Sequence, residues 1–242
     1  MSKEQQWLDD KADAYIIEAI SASARIISHY TWRLVEQFIK GPDVLLMGLG
    51  DGVLEMRLGS TAHEITVIEG SQKVIDVMRH KMPERCAIRH ALFEDCNDYE
   101  MYDTVLGTHV LEHVADPAVV LQQVHRWLKP GGRAVFTVPN AMSLHRRVGV
   151  KMGVLKTYTE LSELDKAIGH RRVYTPWEFA WALYKANFKV DSLRGYMLKT
   201  VSNFQMKDYG RDVLDGLFAV SQELPYDQSA SLIAFCTKEP HT

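Results

Sequence analysis

From Asp43 onward the chain alternates short apolar runs with segments of helical period, and this alternation limits its possible folds more than any other feature. The runs are VLLMG, ITVIEG, CAIRH, DTVLGT, RAVFTV, FKVDSL and SLIAFC. Short apolar runs bounded by turn residues read as strands. Helices are expected between them at 71–81, 116–128 and 175–187. In the second, Val120, Leu121, Val124, Trp127 and Leu128 form one stripe, and Lys129-Pro130-Gly131-Gly132 ends it. The third opens with a capping box, Thr175-Pro176-Trp177-Glu178. Strands alternating with helices predict an α/β fold with a mostly parallel sheet covered on both faces.

Before Asp43, apolar residues from Tyr15 to Phe38 recur at spacings of three and four, predicting two helices or one broken helix that Gly41-Pro42 stops. The expected organisation is an N-terminal helical cap over 1–40 and a main domain over 41–242. Two stretches lack a clear period, 140–173 and 202–228. Loop-rich insertions of that length in a compact domain serve as lids or binding elements.

The chain has 242 residues, a net charge of −3 and 46% hydrophobic residues, enough for a sizeable core and without the basic excess that nucleic acid calls for. The N-terminus lacks an apolar signal region and no apolar run is long enough to span a membrane, so the cytoplasm is expected and no membrane partner. Cys86, Cys96 and Cys236 form no C-x-x-C pair; they predict neither a disulfide nor a metal site. Nothing in the sequence fixes an oligomeric state.

The first strand runs into VLLMGLGDG, with Gly48, Gly50 and Gly52 at alternate positions. In open parallel sheets the first strand-to-helix turn is where backbone comes closest to a ligand, and glycine permits that approach. The second strand ends in Glu69-Gly70, where a carboxylate can accept both hydroxyls of a ribose. Together these features favour an adenosine ligand. A dinucleotide fingerprint needs glycine at 53, which is Val53, and Asp51 would repel a phosphate while suiting an ammonium or sulfonium. The spacing favours S-adenosylmethionine over NAD.

VLLMGLGDG, Glu69, LFED (92–95), YDTVLGTHVLEHVADP (102–117) and LKPGGRAVFTVPN (128–140) resemble, in order, the motifs of class I S-adenosylmethionine-dependent methyltransferases, in particular the small-molecule type related to quinone-biosynthesis enzymes. The resemblance implies a Rossmann-like seven-stranded sheet of order 3-2-1-4-5-7-6, with the last strand antiparallel and inserted, and S-adenosylhomocysteine as product. It further implies that Gly48 and Gly50 approach the methionine part, Phe93 and Glu94 flank the adenine, and Thr108, His109 and Val110 line the methyl-donor end. In related enzymes N-terminal helices cap the pocket, so Arg25 or Tyr30 is expected on the methionine carboxylate. Two positions depart from the family pattern: Leu46 and Leu92 stand where an acidic residue is common, and Asp51 is expected to substitute in part for the first.

Methyl transfer to a hydroxyl is helped by a base, and histidine suits that role. His145 and His170, in SLHRR and GHRRVY after the fifth strand, and His109 are the candidates. Segment 140–173 carries seven Lys or Arg against three Asp or Glu. An anionic acceptor held by Arg146, Arg171 and Arg172, with Tyr174 beside them, is therefore expected, and Phe204, Met206 and Tyr209 could complete its pocket. The sequence reads as a methyltransferase acting on a small molecule, most plausibly at a hydroxyl or carboxylate oxygen. N-methylation of an amine or amino sugar, and a non-catalytic nucleotide-binding module, are the alternatives.

Overall fold

The computed structural model describes residues 2–239 except Ala62, Phe204 and Lys207, and the backbone alone of Ala22 and Ser23. Seven strands form one sheet: β1 (Asp43–Met47), β2 (Glu64–Glu69), β3 (Cys86–His90), β4 (Tyr102–Thr108), β5 (Leu128–Pro139), β6 (Lys189–Tyr196) and β7 (Ser231–Thr237). Their order is β3-β2-β1-β4-β5-β7-β6. β1 to β5 pair in parallel, and β7 runs antiparallel to both β5 and β6. This is the Rossmann-like order expected.

The apolar runs of the inner strands are continuous because those strands are buried on both faces. In β1, Leu45 and Met47 join one core while Val44 and Leu46 join the other, and in β7 Leu232, Ala234 and Cys236 oppose Ile233 and Phe235. The first core is closed by α5 (Pro117–Trp127) and α8 (Pro176–Lys185). Asp116 caps α5 by accepting from the Ala118 and Val119 amides. At its other end Trp127 is fully buried, its indole N–H donating to the Cys96 carbonyl at 3.2 Å. Thr175 and Glu178 close the capping box of α8.

The second core lies under α1 (Lys3–Ala19), α2 (Ala22–Val35), α3 (Val53–Gly59), α4 (Gln72–Met78) and α9 (Arg211–Ser221). The N-terminal segment is two helices, as the periodicity allowed, but α1 begins well before residue 12. A Ser2–Gln5 capping box starts it, and its polar first turns hide the period. The short α3 was not foreseen. The stretches without clear period are also partly helical: 140–173 contains α6 (Leu144–Lys151) and α7 (Glu163–Ala167), and 202–228 contains α9. Met206 packs into the second core, Tyr209 lies at the surface, and Phe204 falls outside the described residues.

Candidate active site

The strand order reverses between β1 and β4, and a cleft opens beyond their carboxyl ends, where α/β sheets take ligands. It has two lobes. One is lined by Trp7 and Leu8 of α1, by Glu69 and Gly70 at the end of β2, and by Phe93 and Glu94 beyond β3. The other, a cavity of about 720 Å³, reaches from the β1 turn to α6 and α7 and to the chain beyond β6. Gly48, His109, Val110, His113 and Tyr15 line both.

The glycine turn is held by carboxylates. Gly48 takes φ +78° and Gly52 φ +89°, in the left-handed region that favours glycine. Glu69 accepts from the Leu49 amide at 2.9 Å and from the Ser71 amide at 2.7 Å, one bond on each oxygen. Burial raises its carboxyl above the ordinary range, although these amides oppose the shift. Glu55 of α3, which sequence reasoning passed over, accepts from the Gly50 amide at 3.0 Å, and burial raises it too. The Tyr15 hydroxyl of α1 donates to the Leu49 carbonyl at 2.9 Å, closing the turn from above.

Asp51 accepts from the Val53 amide through Oδ1, while its Oδ2 is buried without a partner. A carboxylate oxygen left unsatisfied in a cleft is costly unless a donor arrives there. The turn offers carboxylates, so the cleft suits a ligand with a cationic centre and a ribose, and opposes phosphates. These residues fit the S-adenosylmethionine expected from the sequence.

At the end of β4, His109 adopts φ +55°, unusual for a residue with a side chain. Its amide donates to Thr137, and its ring lies between Glu112 (Nδ1 to Oε1, 3.0 Å) and the Tyr196 hydroxyl (Nε2, 3.2 Å). Burial alone would raise the Glu112 carboxyl, but the His109 hydrogen bond and the neighbouring histidines hold it below its usual range. A carboxylate only accepts, so Nδ1 carries the proton and Nε2 is left as the basic atom.

Glu112, His113 and His170 bring one donor atom each within 4.8 Å of one another, and Glu112 Oε2 is buried without a partner. Burial lowers His113 to about 4, keeping its ring neutral as a metal ligand requires. The sequence reading expected no metal site and did not anticipate this group, which could hold a small cation.

Several expected substrate contacts are committed elsewhere. Arg171 donates to the His113 carbonyl, pairs with Glu4 at 2.6 Å and stacks on Trp7 at 3.7 Å. Arg172 donates to the carbonyls of Leu111, Val114 and Ala115. The buried Tyr174 hydroxyl reaches the Leu111 carbonyl at 3.3 Å. Arg146 does line the cavity, yet its guanidinium is taken by the carbonyls of Tyr158 and Glu160 and by Asp165. Carbonyls of irregular backbone shut off from water, such as those of Leu111 and Val114, need donors, and arginine supplies them. Arg25 is exposed, and Tyr30, buried against Phe218, donates to Asp215 at 2.8 Å; neither lines the cleft.

The histidines separate in the same way. His170 Nδ1 faces Asp165 at 3.0 Å. His145 lines the cavity, but burial first, then Lys199 and Arg146, lower it to about 3, too weak a base to take a hydroxyl proton.

A family model described as a methyltransferase domain matches residues 21–193. A ubiquinone biosynthesis O-methyltransferase of Alkalilimnicola ehrlichii is 32% identical over 107 residues, 42% of this chain and 43% of that protein. The chain thus matches about half the length of such relatives. Among solved structures, an S-adenosylmethionine-dependent methyltransferase from Mesorhizobium loti superposes with a TM-score of 0.64 at 16% identity, covering 88% of this chain and 99% of that one. The 1,6-didemethyltoxoflavin-N1-methyltransferase of Burkholderia thailandensis, solved with bound 1,6-didemethyltoxoflavin and S-adenosylhomocysteine, gives a TM-score of 0.62 at 14% identity, covering 98% of this chain and 87% of that one. The matched range 21–193 takes in well over half of the chain, so the chain belongs to the family of methyltransferase domains.

Proposed function

We propose that the protein transfers a methyl group from S-adenosylmethionine to an oxygen of a small-molecule acceptor. The observation that carries this reading is the unpartnered, buried Asp51 carboxylate oxygen beside a strand-end Glu69, at a cleft whose second lobe has room for another molecule. When bound, the cofactor supplies a methyl carbon on a positively charged sulfur, open to in-line displacement.

The residues divide the work. Glu69 receives the ribose hydroxyls, Gly70, Phe93 and Glu94 bound the adenine lobe, and Asp51 receives the amino group. Gly48 and Gly50 let the backbone lie against the ligand, and Thr108, His109 and Val110 border the lobe where the acceptor enters. The N-terminal helices and the segments 140–173 and 202–228 act as cap and lids. His109 is the base: Glu112 orients it, and Nε2, covered by the Tyr196 hydroxyl, would take the proton that the acceptor hydroxyl gives up. Positioning of the reactants supplies most of the acceleration, with about 7–11 kcal/mol available.

Incubation with methyl-labelled cofactor and a panel of hydroxylated aromatics, carboxylic acids and amines tests the reading. Label should pass to an oxygen acceptor, and His109→Asn should lower kcat by about 10²- to 10⁴-fold. Label found only on amines would transfer the assignment to nitrogen.

A further inference from the structure

The acceptor lobe contains a cation, Lys199, that forms no ion pair with the described residues. Lys199 follows β6 by three residues and is 9% exposed. It is carried inward by a tight turn: Met197 sits at φ +65°, its amide donating to the buried Ser221 hydroxyl at 3.0 Å while its carbonyl accepts from Ala230 at 2.8 Å. The Lys199 ammonium donates to Asn203 Oδ1 at 2.5 Å, and among the described residues no carboxylate lies within ion-pair distance of it.

Each element facing Lys199 contributes a charge or a polar group. Glu18 at the end of α1 is reached through the Asn203 amide, at 3.4 Å. Asp165 of α7 is engaged by Ser162, His170 and Arg146. Arg146 of α6 is spent on backbone carbonyls. Its neighbour His145 faces the same cavity with Nδ1 buried and unpartnered. A buried ammonium with donors to spare and a neutral imidazole with an idle nitrogen are both unfavourable without a ligand. Burial pulls Lys199 down to about 8, leaving most of it charged at neutral pH.

We propose that Lys199 and His145 form the recognition pole for an anionic oxygen of the methyl acceptor, a carboxylate or an ionised acidic hydroxyl. This rests on the methyl-transfer reading and replaces the arginine forks as the source of acceptor charge selection. Two N–H groups of Lys199 point the charge, and His145 donates one further hydrogen bond without adding charge. The methionine carboxylate of the cofactor is the other anion of matching chemistry, and the test separates the two.

Salicylate and its neutral counterpart salicylamide are titrated calorimetrically into protein saturated with S-adenosylhomocysteine. Wild type should bind salicylate about 10- to 100-fold more tightly than salicylamide, the value of a charge-assisted bond. Lys199→Met should erase that preference while leaving salicylamide and S-adenosylhomocysteine binding within about two-fold. Lys199→Arg should retain it. Thermal unfolding of Lys199→Met should be no lower than wild type, since the variant removes an unpaired buried charge. Equal or absent binding of the two probes to wild type, or a preference that survives in Lys199→Met, overturns the proposal. So does a loss of S-adenosylhomocysteine affinity with salicylate binding unchanged, which would assign Lys199 to the cofactor. Failure of wild type to bind S-adenosylhomocysteine at all would instead remove the methyl-transfer reading beneath it.

Discussion

Gly48 shows how much of this site depends on one backbone conformation. Its φ of +78° is one a side-chain-bearing residue adopts at a cost, but the space beside it is open: a Cβ there would meet Glu69 Oε2 and Val110 Cγ2 no closer than 3.8 Å. Strain and crowding are therefore separable. Gly48→Ala should destabilise the fold by about 1–2 kcal/mol through the left-handed conformation alone, lowering Tm by roughly 2–8 °C. Its larger effect should be on S-adenosylhomocysteine binding, because the methyl group projects into the cleft. A Tm unchanged from wild type together with full ligand affinity would show that the turn tolerates a side chain and carries no recognition.

The helices and linking segments explain why the basic insertion is not a simple anion trap. Arg171 joins the segment after β5 to α1 by its ion pair with Glu4 and its stacking on Trp7, and α1 lines the lobe beside Glu69 and Phe93. Arg171→Ala should speed hydrogen exchange in α1 and weaken S-adenosylhomocysteine binding several-fold, with acceptor KM little changed. Unaltered exchange with a raised acceptor KM would return Arg171 to the acceptor. The inner strands were legible in the sequence because they bury both faces, and that demand leaves unbroken apolar runs such as Val44–Met47. Gly48 and Glu69 were legible because their meaning is local, a strand end followed by a turn. The helices α3, α6 and α7 were not, since so few residues give no period to read. Nor could a count of charges distinguish Arg172, consumed by three backbone carbonyls, from Lys199, held by the Asn203 side chain. That difference is made by packing between segments far apart in sequence, and the same holds for Glu55 and the idle oxygen of Asp51.

For the molecule as a whole, the buried histidines couple the acceptor lobe to pH. His145 and His113 have folded pKa values of about 3 and 4, below the ordinary value of 6.5, so each is neutral in the fold and gains its proton on unfolding. Depressed histidines contribute stability above pH 6.5 that is lost as pH falls toward the folded values. Between pH 7 and pH 5 each should remove roughly 2 kcal/mol. Buried Glu69 and Glu55, raised by burial, act in the opposite direction, so the comparison must be with a variant. His145→Asn should lose about that much less stability than wild type on acidification, read as a shallower fall in Tm. Parallel curves for the two proteins would mean that His145 is protonated in the fold.

The whole molecule also positions its lobes around one ligand, and the claim that this ligand is an adenosyl thioether is the one from which the other roles follow. Isothermal calorimetry of S-adenosylhomocysteine against wild type and Glu69→Ala measures it directly. Saturable one-to-one binding to wild type, weakened about 10- to 100-fold in Glu69→Ala by loss of the charged acceptor, with no comparable binding of NADH, is the predicted result. No heat from the folded wild-type protein at millimolar ligand, or equal affinity in the two proteins, would contradict it.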